Sequence, residues 1–158
     1  MIKYRNNHHK FEIELPNERH GPRLISRLFG MDANPEFYEQ NRSSLKFAIG
    51  PISPEPSVRE QQLNLDNIAR KYGHDVIEVG SIAVYEKEHA TIVCKVPLIQ
   101  QPPVMIGRPE YIVRPVPSML LKNYSLIFDG IEYFATASID KFPEENFDEI
   151  IKTFRLFW

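Results

Sequence analysis

Apolar and polar residues alternate in several short stretches of the chain. FEIEL, residues 11–15, sets Phe11, Ile13 and Leu15 against two glutamates, the period of a half-buried strand. Pro16 and the polar run NERHG end it. SLKFAIG, residues 44–50, repeats the pattern with Leu45, Phe47 and Ile49 and stops at Gly50-Pro51. Two β-rich runs follow within residues 74–98, and the polar residues Glu86 to His89 read as the hairpin tip between them. In the second run Ala90, Ile92, Cys94, Val96 and Leu98 share one face. Residues 119–139 give the clearest hairpin, because Asp129-Gly130 is the pair that a two-residue type I′ turn demands. That turn would pair Phe128 with Ile131, Leu126 with Tyr133 and Tyr124 with Ala135, leaving Asn123 and Thr136 on the opposite face.

A helical period replaces the alternation twice. Over residues 57–72, Val58, Leu65, Ile68, Ala69 and Tyr72 fall on one face, while Arg59, Gln62, Asp66 and Arg70 fall on the solvated one. Ser57 and Glu60 have the spacing of a capping box, and Gly73 stands at the favoured stop. Near the C-terminus, Phe147, Ile150, Ile151 and Phe154 line one face of a helix over residues 143–154. Pro143, Glu144 and Glu145 suit its N-terminus. Leu156, Phe157 and Trp158 come too late for another turn. They read as core closure, a short tail able to pair with the sheet.

The remaining stretches carry weaker patterns. Arg23 to Phe29 spells one or two helical turns, and DANPEFYEQN reads as a loop with a turn at Asn34-Pro35. Residues 97–118 hold six prolines, which block both helix and central strand. Loops beyond about 15 residues without regular structure are uncommon unless functional or disordered. The predicted fold class is therefore α+β: an antiparallel β-sheet of about five to six strands packed with two main helices. Residues 1–10 read as a flexible N-terminal tail. Residues 11–158 read as a single α+β domain with a proline-rich excursion at 97–118.

In order and length these elements resemble the Mog1/PsbP-like family. The matching stretches are FEIELP (11–16), KNYSLIFDGIEYFATAS (122–138) and FDEIIKTFRLF (147–157). Asn17 to His20 follow Pro16, where many members carry a tryptophan. The resemblance implies a sheet sandwiched by helices and used as a binding module. Members include a partner of a small nuclear GTPase, an extrinsic photosystem subunit and uncharacterised bacterial proteins. The matched positions are core positions, so no binding residue is carried over.

Composition changes this picture little. A length of 158 residues suits one domain, and 42% hydrophobic with 25% charged residues is ordinary for a globular chain. A net charge of −2 argues against a nucleic-acid binder working through a broad basic surface. Charge is uneven, however. Residues 1–31 carry six Lys/Arg against three Glu, so the N-terminal strand is suited to an acidic neighbour. One cysteine excludes an internal disulfide and a cysteine-rich metal site. No apolar run is long enough for membrane insertion. The chain reads as cytoplasmic, unless a leader has been removed.

Candidate chemistry has a bland reading beside each sharp one. His8 and His9 with His20 could ligate a metal, but a mobile tail accounts for the pair more simply, and no metal is expected. Cys94 could act as a nucleophile with His89 or His74, yet its place in an apolar register marks it as an inert core thiol. Glu86 and Glu88 fit a solvated hairpin tip. The motifs of nucleotide-binding loops, zinc proteases and serine hydrolases are all lacking, so a non-catalytic module without cofactor is favoured over an enzyme. The best partner-binding candidate is the proline-rich segment. There Arg108, Tyr111 and Arg114 flank Val104, Met105 and Ile106, residue types enriched at interface cores. An unidentified protein partner or a second copy of the chain are the occupants considered. The alternative is a small-ligand protein or enzyme with a cleft between the sheet and residues 97–118.

Overall fold

The computed structural model describes residues 2–15, 36–39, 42–97, 119–140 and 146–157. The elements run β1 (Ile2–Asn6), β2 (Phe11–Leu15), β3 (Glu36–Glu39), β4 (Arg42–Pro51) and α1 (Val58–Lys71). They continue with β5 (Asp75–Val84), β6 (Lys87–Val96), β7 (Met119–Phe128), β8 (Ile131–Ser138), α2 (Phe147–Lys152) and β9 (Arg155–Leu156). Six strands form one antiparallel sheet in the order β3-β4-β8-β7-β6-β5, and β1-β2-β9 form a second. The expected α+β class and two helices are both present, as is the sheet of the expected size. The three-stranded sheet is an addition.

Alternation explains how the sheets stack. Phe11, Ile13 and Leu15 of β2 point inward and meet Leu45 and Phe47 of β4, Leu126 and Phe128 of β7, and Tyr133 and Ala135 of β8. Helix α2 closes the same core with Phe147, Ile150 and Ile151, followed by Phe154. A second, smaller cluster joins Leu65 and Ala69 of α1 to Ala90, Ile92 and Cys94 on the other face of β6. Each face of the large sheet thus gains a cover. The β7–β8 register is the one the turn chemistry requires, with Phe128 opposite Ile131, Leu126 opposite Tyr133 and Tyr124 opposite Ala135. Asp129 and Gly130 both have positive φ, 51° and 75°.

The capping box also forms. The Glu60 amide donates to Ser57 Oγ at 3.2 Å, and the Ser57 amide reaches Glu60 Oε1 at 3.4 Å. The buried stripe of α1 differs from the expected one, however. It runs Gln61, Leu65 and Ala69, whereas Ile68 is 49% and Tyr72 69% exposed. Gln61 lies inside because its amide satisfies backbone. It accepts from the Ala90 amide at 3.0 Å and donates to the Ser125 carbonyl at 3.4 Å, bridging β6 and β7.

Helix α2 is held by charge as well as packing. The buried Tyr124 hydroxyl donates to Asp148 at 2.6 Å, and the Lys122 ammonium lies 2.9 Å from the same carboxylate. Burial alone would raise the Asp148 carboxyl, but these two donors outweigh it and hold it below the usual value. Burial, then the neighbouring carboxylate, pushes Tyr124 upward.

Three expectations are corrected. A flexible tail is expected over residues 1–10, but over the described part, 2–10, β1 pairs with β2 from Ile2↔Leu15 to Asn6↔Phe11 and a turn follows. Tyr4 and Asn6 are buried while Lys3 and Arg5 are exposed, and the polar Asn6 hides the alternation. Asn6 is satisfied in place, because its Nδ2 donates to Tyr4 Oη at 3.0 Å and its Oδ1 accepts from the His9 amide at 2.8 Å. Residues 36–39, read as loop, form β3. His89, read as part of a hairpin tip, is fully buried inside β6, and the turn is Tyr85-Glu86.

His89 is buried because it completes the sheet. The β6–β7 ladder stops at Ala90↔Ser125. Beyond that pair the Ile127 amide donates to His89 Nδ1 at 3.1 Å, and the Ile127 carbonyl accepts from the Lys87 ammonium at 2.7 Å. Lys87 is also paired with Glu55. An imidazole that accepts at Nδ1 must be neutral, with its proton on Nε2. Burial first, and then the Lys87 charge, lowers His89 to about 4 against the opposing pull of the Val84 carbonyl, Glu88 and Glu55.

Between pH 6.5 and about 4 the unfolded chain binds a proton at this histidine that the native chain refuses. Stability is therefore full above that window and falls as pH drops through it, by up to about 3 kcal/mol. Urea unfolding across this range should show the slope, and His89→Gln, which keeps an acceptor but does not titrate, should flatten it. Tyr85 and Glu86 hold φ of 54° and 62°, a left-handed conformation that costs a side chain what it does not cost glycine. Glu86→Gly should raise the urea midpoint, by about 1 kcal/mol of stability.

Candidate functional site

Three segments distant in sequence enclose one cleft of about 480 Å3. The β1–β2 turn contributes His8, His9 and Lys10. The β7–β8 hairpin contributes Phe128, Asp129, Ile131 and Tyr133, and the C-terminal strand contributes Leu156 and Phe157. That volume lies in the range of natural small-ligand sites, whose walls are mostly apolar with a few polar groups at defined places.

Each wall is fixed by its local chemistry. Lys10 takes the left-handed conformation, φ 59°, as the last residue of the β1–β2 turn. β9 pairs with β2 through Phe11↔Leu156, and the Phe157 amide donates to the Lys10 carbonyl at 3.0 Å. This pairing sets the Phe157 ring at the cleft. The Arg5 guanidinium then stacks on that ring, 3.8 Å from its centroid, and the Lys10 ammonium lies 5.9 Å from it. The floor is aromatic. Phe154 stacks on Phe128 at 5.6 Å between ring centroids and meets Tyr133 at 5.0 Å. Phe128 follows Ile127, whose backbone His89 and Lys87 hold, and the His89 ring lies 4.8 Å from Phe128.

Burial, and then the Asp129 charge, raises the Tyr133 hydroxyl. It therefore keeps its proton at neutral pH and can donate without acting as a base. A second groove of about 550 Å3 lies beside Tyr85, Glu86, Lys152 and Arg155. Its cations are already engaged: Arg155 donates to the carbonyls of Lys152 and Phe154 at 2.9 and 2.7 Å, and Lys152 pairs with Glu149 at 3.2 Å. The first cleft is the better candidate.

Of the residues singled out in the sequence, Val104, Met105, Ile106, Arg108, Tyr111 and Arg114 lie outside the described residues. So does His20. His8 and His9 sit in the β1–β2 turn with their rings 4.6 Å apart and edge to face. Among the described residues, no three His, Cys, Asp or Glu side chains gather as a metal site. Cys94 is buried against α1, and burial raises its thiol above the ordinary value, with the Asp66 charge adding to it. His89 is five residues earlier on the same strand, so it faces the opposite side of the sheet and cannot activate that sulfur. Glu86 occupies the turn and Glu88 is exposed.

The cleft itself has no signature in the sequence. The hairpin accounts for Phe128, Ile131 and Tyr133, and core closure accounts for Leu156 and Phe157. The one available signal is His8-His9-Lys10, standing between two stretches that become paired strands. Among the described residues no helix is long and apolar enough to cross a membrane.

No family model and no curated protein matches the chain. A solved structure does: the solution structure of cyanobacterial PsbP (CyanoP) from Synechocystis sp. PCC 6803 is similar over 99% of this chain and 92% of that one. The TM-score is 0.53 at 10% sequence identity. The likeness is one of fold, and the architecture is PsbP-like.

Proposed function

We propose that this protein is a non-catalytic binding module that receives a protein partner in the cleft between the β1–β2 turn, the β7–β8 hairpin and the C-terminal strand. The observation that carries the reading is the cleft's construction: largely apolar walls backed by the Phe154 stack, with a few polar groups from the β1–β2 turn and the hairpin among them. A preformed apolar recess lowers the ordering cost of docking. The Tyr133 hydroxyl, shifted away from neutrality, suits orientation of a partner rather than proton transfer at pH 7. The adaptor role expected of a Mog1/PsbP-like module agrees with this, and a cytoplasmic setting belongs to the same proposal.

The proline-rich segment 97–118 supplies a second reading. Val104, Met105 and Ile106 flanked by Arg108, Tyr111 and Arg114 have the composition of an interface core, and prolines reduce the entropy lost when a loop docks. The ligand-cleft alternative placed its roof on this segment, whereas the described walls of the cleft come from elsewhere.

Immobilised protein exposed to lysate of its source cell, with three baits compared, separates these readings. Ile131→Asp puts a charge into the cleft at a strand end that is 37% exposed, so the fold should persist. A partner retained by the native bait and lost with Ile131→Asp supports the cleft. Loss only when Val104, Met105 and Ile106 are changed to serine moves the site to the segment. No partner on any bait, together with a dimeric mass by light scattering, would replace both with self-association.

A further inference from the structure

The cleft has a charge character that its apolar walls do not explain. Lys3 on β1 has an acidic neighbour, Glu12 at 3.5 Å, and Lys122, Lys152 and Arg70 each have a carboxylate partner. Arg5 and Lys10 differ. Among the described residues neither has a carboxylate within ion-pair distance, and both are instead drawn to the Phe157 ring, at 3.8 and 5.9 Å from its centroid. Lys10 lines the cleft itself, and Arg5 adjoins it through the Phe157 ring, which is one of the cleft's walls. A guanidinium held over a ring, with no carboxylate partner among the described residues, retains N–H donors for an incoming carboxylate. Two imidazoles, His8 and His9, complete this side of the rim, and Asp129 is the one acid in the described lining. The excess of Lys/Arg over residues 1–31 has the same sign as this surface.

We infer that the cleft binds an acidic peptide segment bearing one bulky apolar side chain. The side chain fills the recess between Phe128, Ile131 and Phe157, and flanking carboxylates pair with Arg5 and Lys10. This rests on the proposed binding role and adds the partner's chemistry to it. A volume of about 480 Å3 admits an aromatic or long aliphatic side chain but no folded element. Carboxylates suit the rim because they neutralise two cations that have no acidic partner among the described residues. Rim charge of this kind sets orientation and on-rate, while the buried anchor supplies most of the affinity.

The test uses fluorescence anisotropy with three fluorescein-labelled hexapeptides. The first has a central leucine-phenylalanine pair flanked on each side by two aspartates. In the second asparagine replaces every aspartate, and in the third serine replaces the apolar pair. The first should bind the native protein and weaken as salt rises. The second and third should each bind about tenfold more weakly, a loss of about 1.4 kcal/mol. The double variant Arg5→Glu, Lys10→Glu should lose the preference for the first peptide over the second and still hold the second as before, with its thermal midpoint showing an intact fold. Equal binding of the first two peptides would overturn the acidic partner but leave the binding role standing. If no peptide binds native protein while lysate capture is still lost with Ile131→Asp, the peptide chemistry falls alone. If capture fails as well, both fall.

Discussion

The burial of one ring, Phe154, determines how the two sheets meet. It is fully buried and contacts Phe11 of β2 at 5.1 Å, Phe128 of β7 at 5.6 Å and Tyr133 of β8 at 5.0 Å. Truncating a buried phenylalanine typically costs about 3–5 kcal/mol, a large share of the roughly 5–15 kcal/mol by which domains are stable. Because Phe154 comes soon after α2, its placement also fixes the last residues of the chain. Arg155 and Leu156 are carried onto β2, and Phe157 is delivered to the cleft. Core packing and site geometry are thus one constraint, and the wall formed by Phe157 cannot move far without disturbing the core behind it.

A second constraint is polar. The large sheet does not finish its β6–β7 ladder with backbone alone, since Gln61, His89 and Lys87 supply the missing partners for Ala90, Ser125 and both polar groups of Ile127. Unpaired buried amides and carbonyls would each cost about 1–3 kcal/mol. The buried Gln61 and His89 and the half-buried Lys87 are therefore structural, although His89 and Lys87 read in sequence as part of a polar hairpin tip. Among the described residues His89 Nε2 makes no hydrogen bond of normal geometry, the Val84 carbonyl being the backbone group that acts on the ring, so the arrangement is fully satisfied on one side of it only. Since Phe128 adjoins Ile127, this splice also sets the cleft's floor from the strand side.

Much of the architecture is legible in the sequence because local rules agree with one another. Asp129-Gly130 dictates a hairpin register in which every apolar pair meets, and Ser57 with Glu60 marks the start of α1. Legibility fails where a polar residue sits at an inward position. Asn6 breaks the period that would have exposed β1, and Gln61 displaces Ile68 from the buried stripe of α1. Glu86 to His89 looks like a turn because four polar residues in a row normally are one. The cleft is illegible for another reason: its walls come from residues 8–10, 128–133 and 156–157, and each has a sufficient local explanation. The pairing of β9 with β2 joins the first and last of these, the packing of the two sheets on Phe154 brings the hairpin against them, and a two-residue strand carries no period to read.

The PsbP-like likeness constrains function less than it constrains form. At 10% identity the two chains share a way of stacking sheets and helices while almost every surface position is free to differ. What distinguishes this chain has to be sought in residues the fold does not require. Phe11 and Phe154 fail that criterion, since the core needs them. Arg5 and Lys10 meet it: they lie on the surface, close no ion pair among the described residues, and are held there by their contact with Phe157. A cation held against a ring at the mouth of an apolar recess adds little to folding, because exposed charges contribute at most about 1 kcal/mol. Its use lies in what it meets from outside.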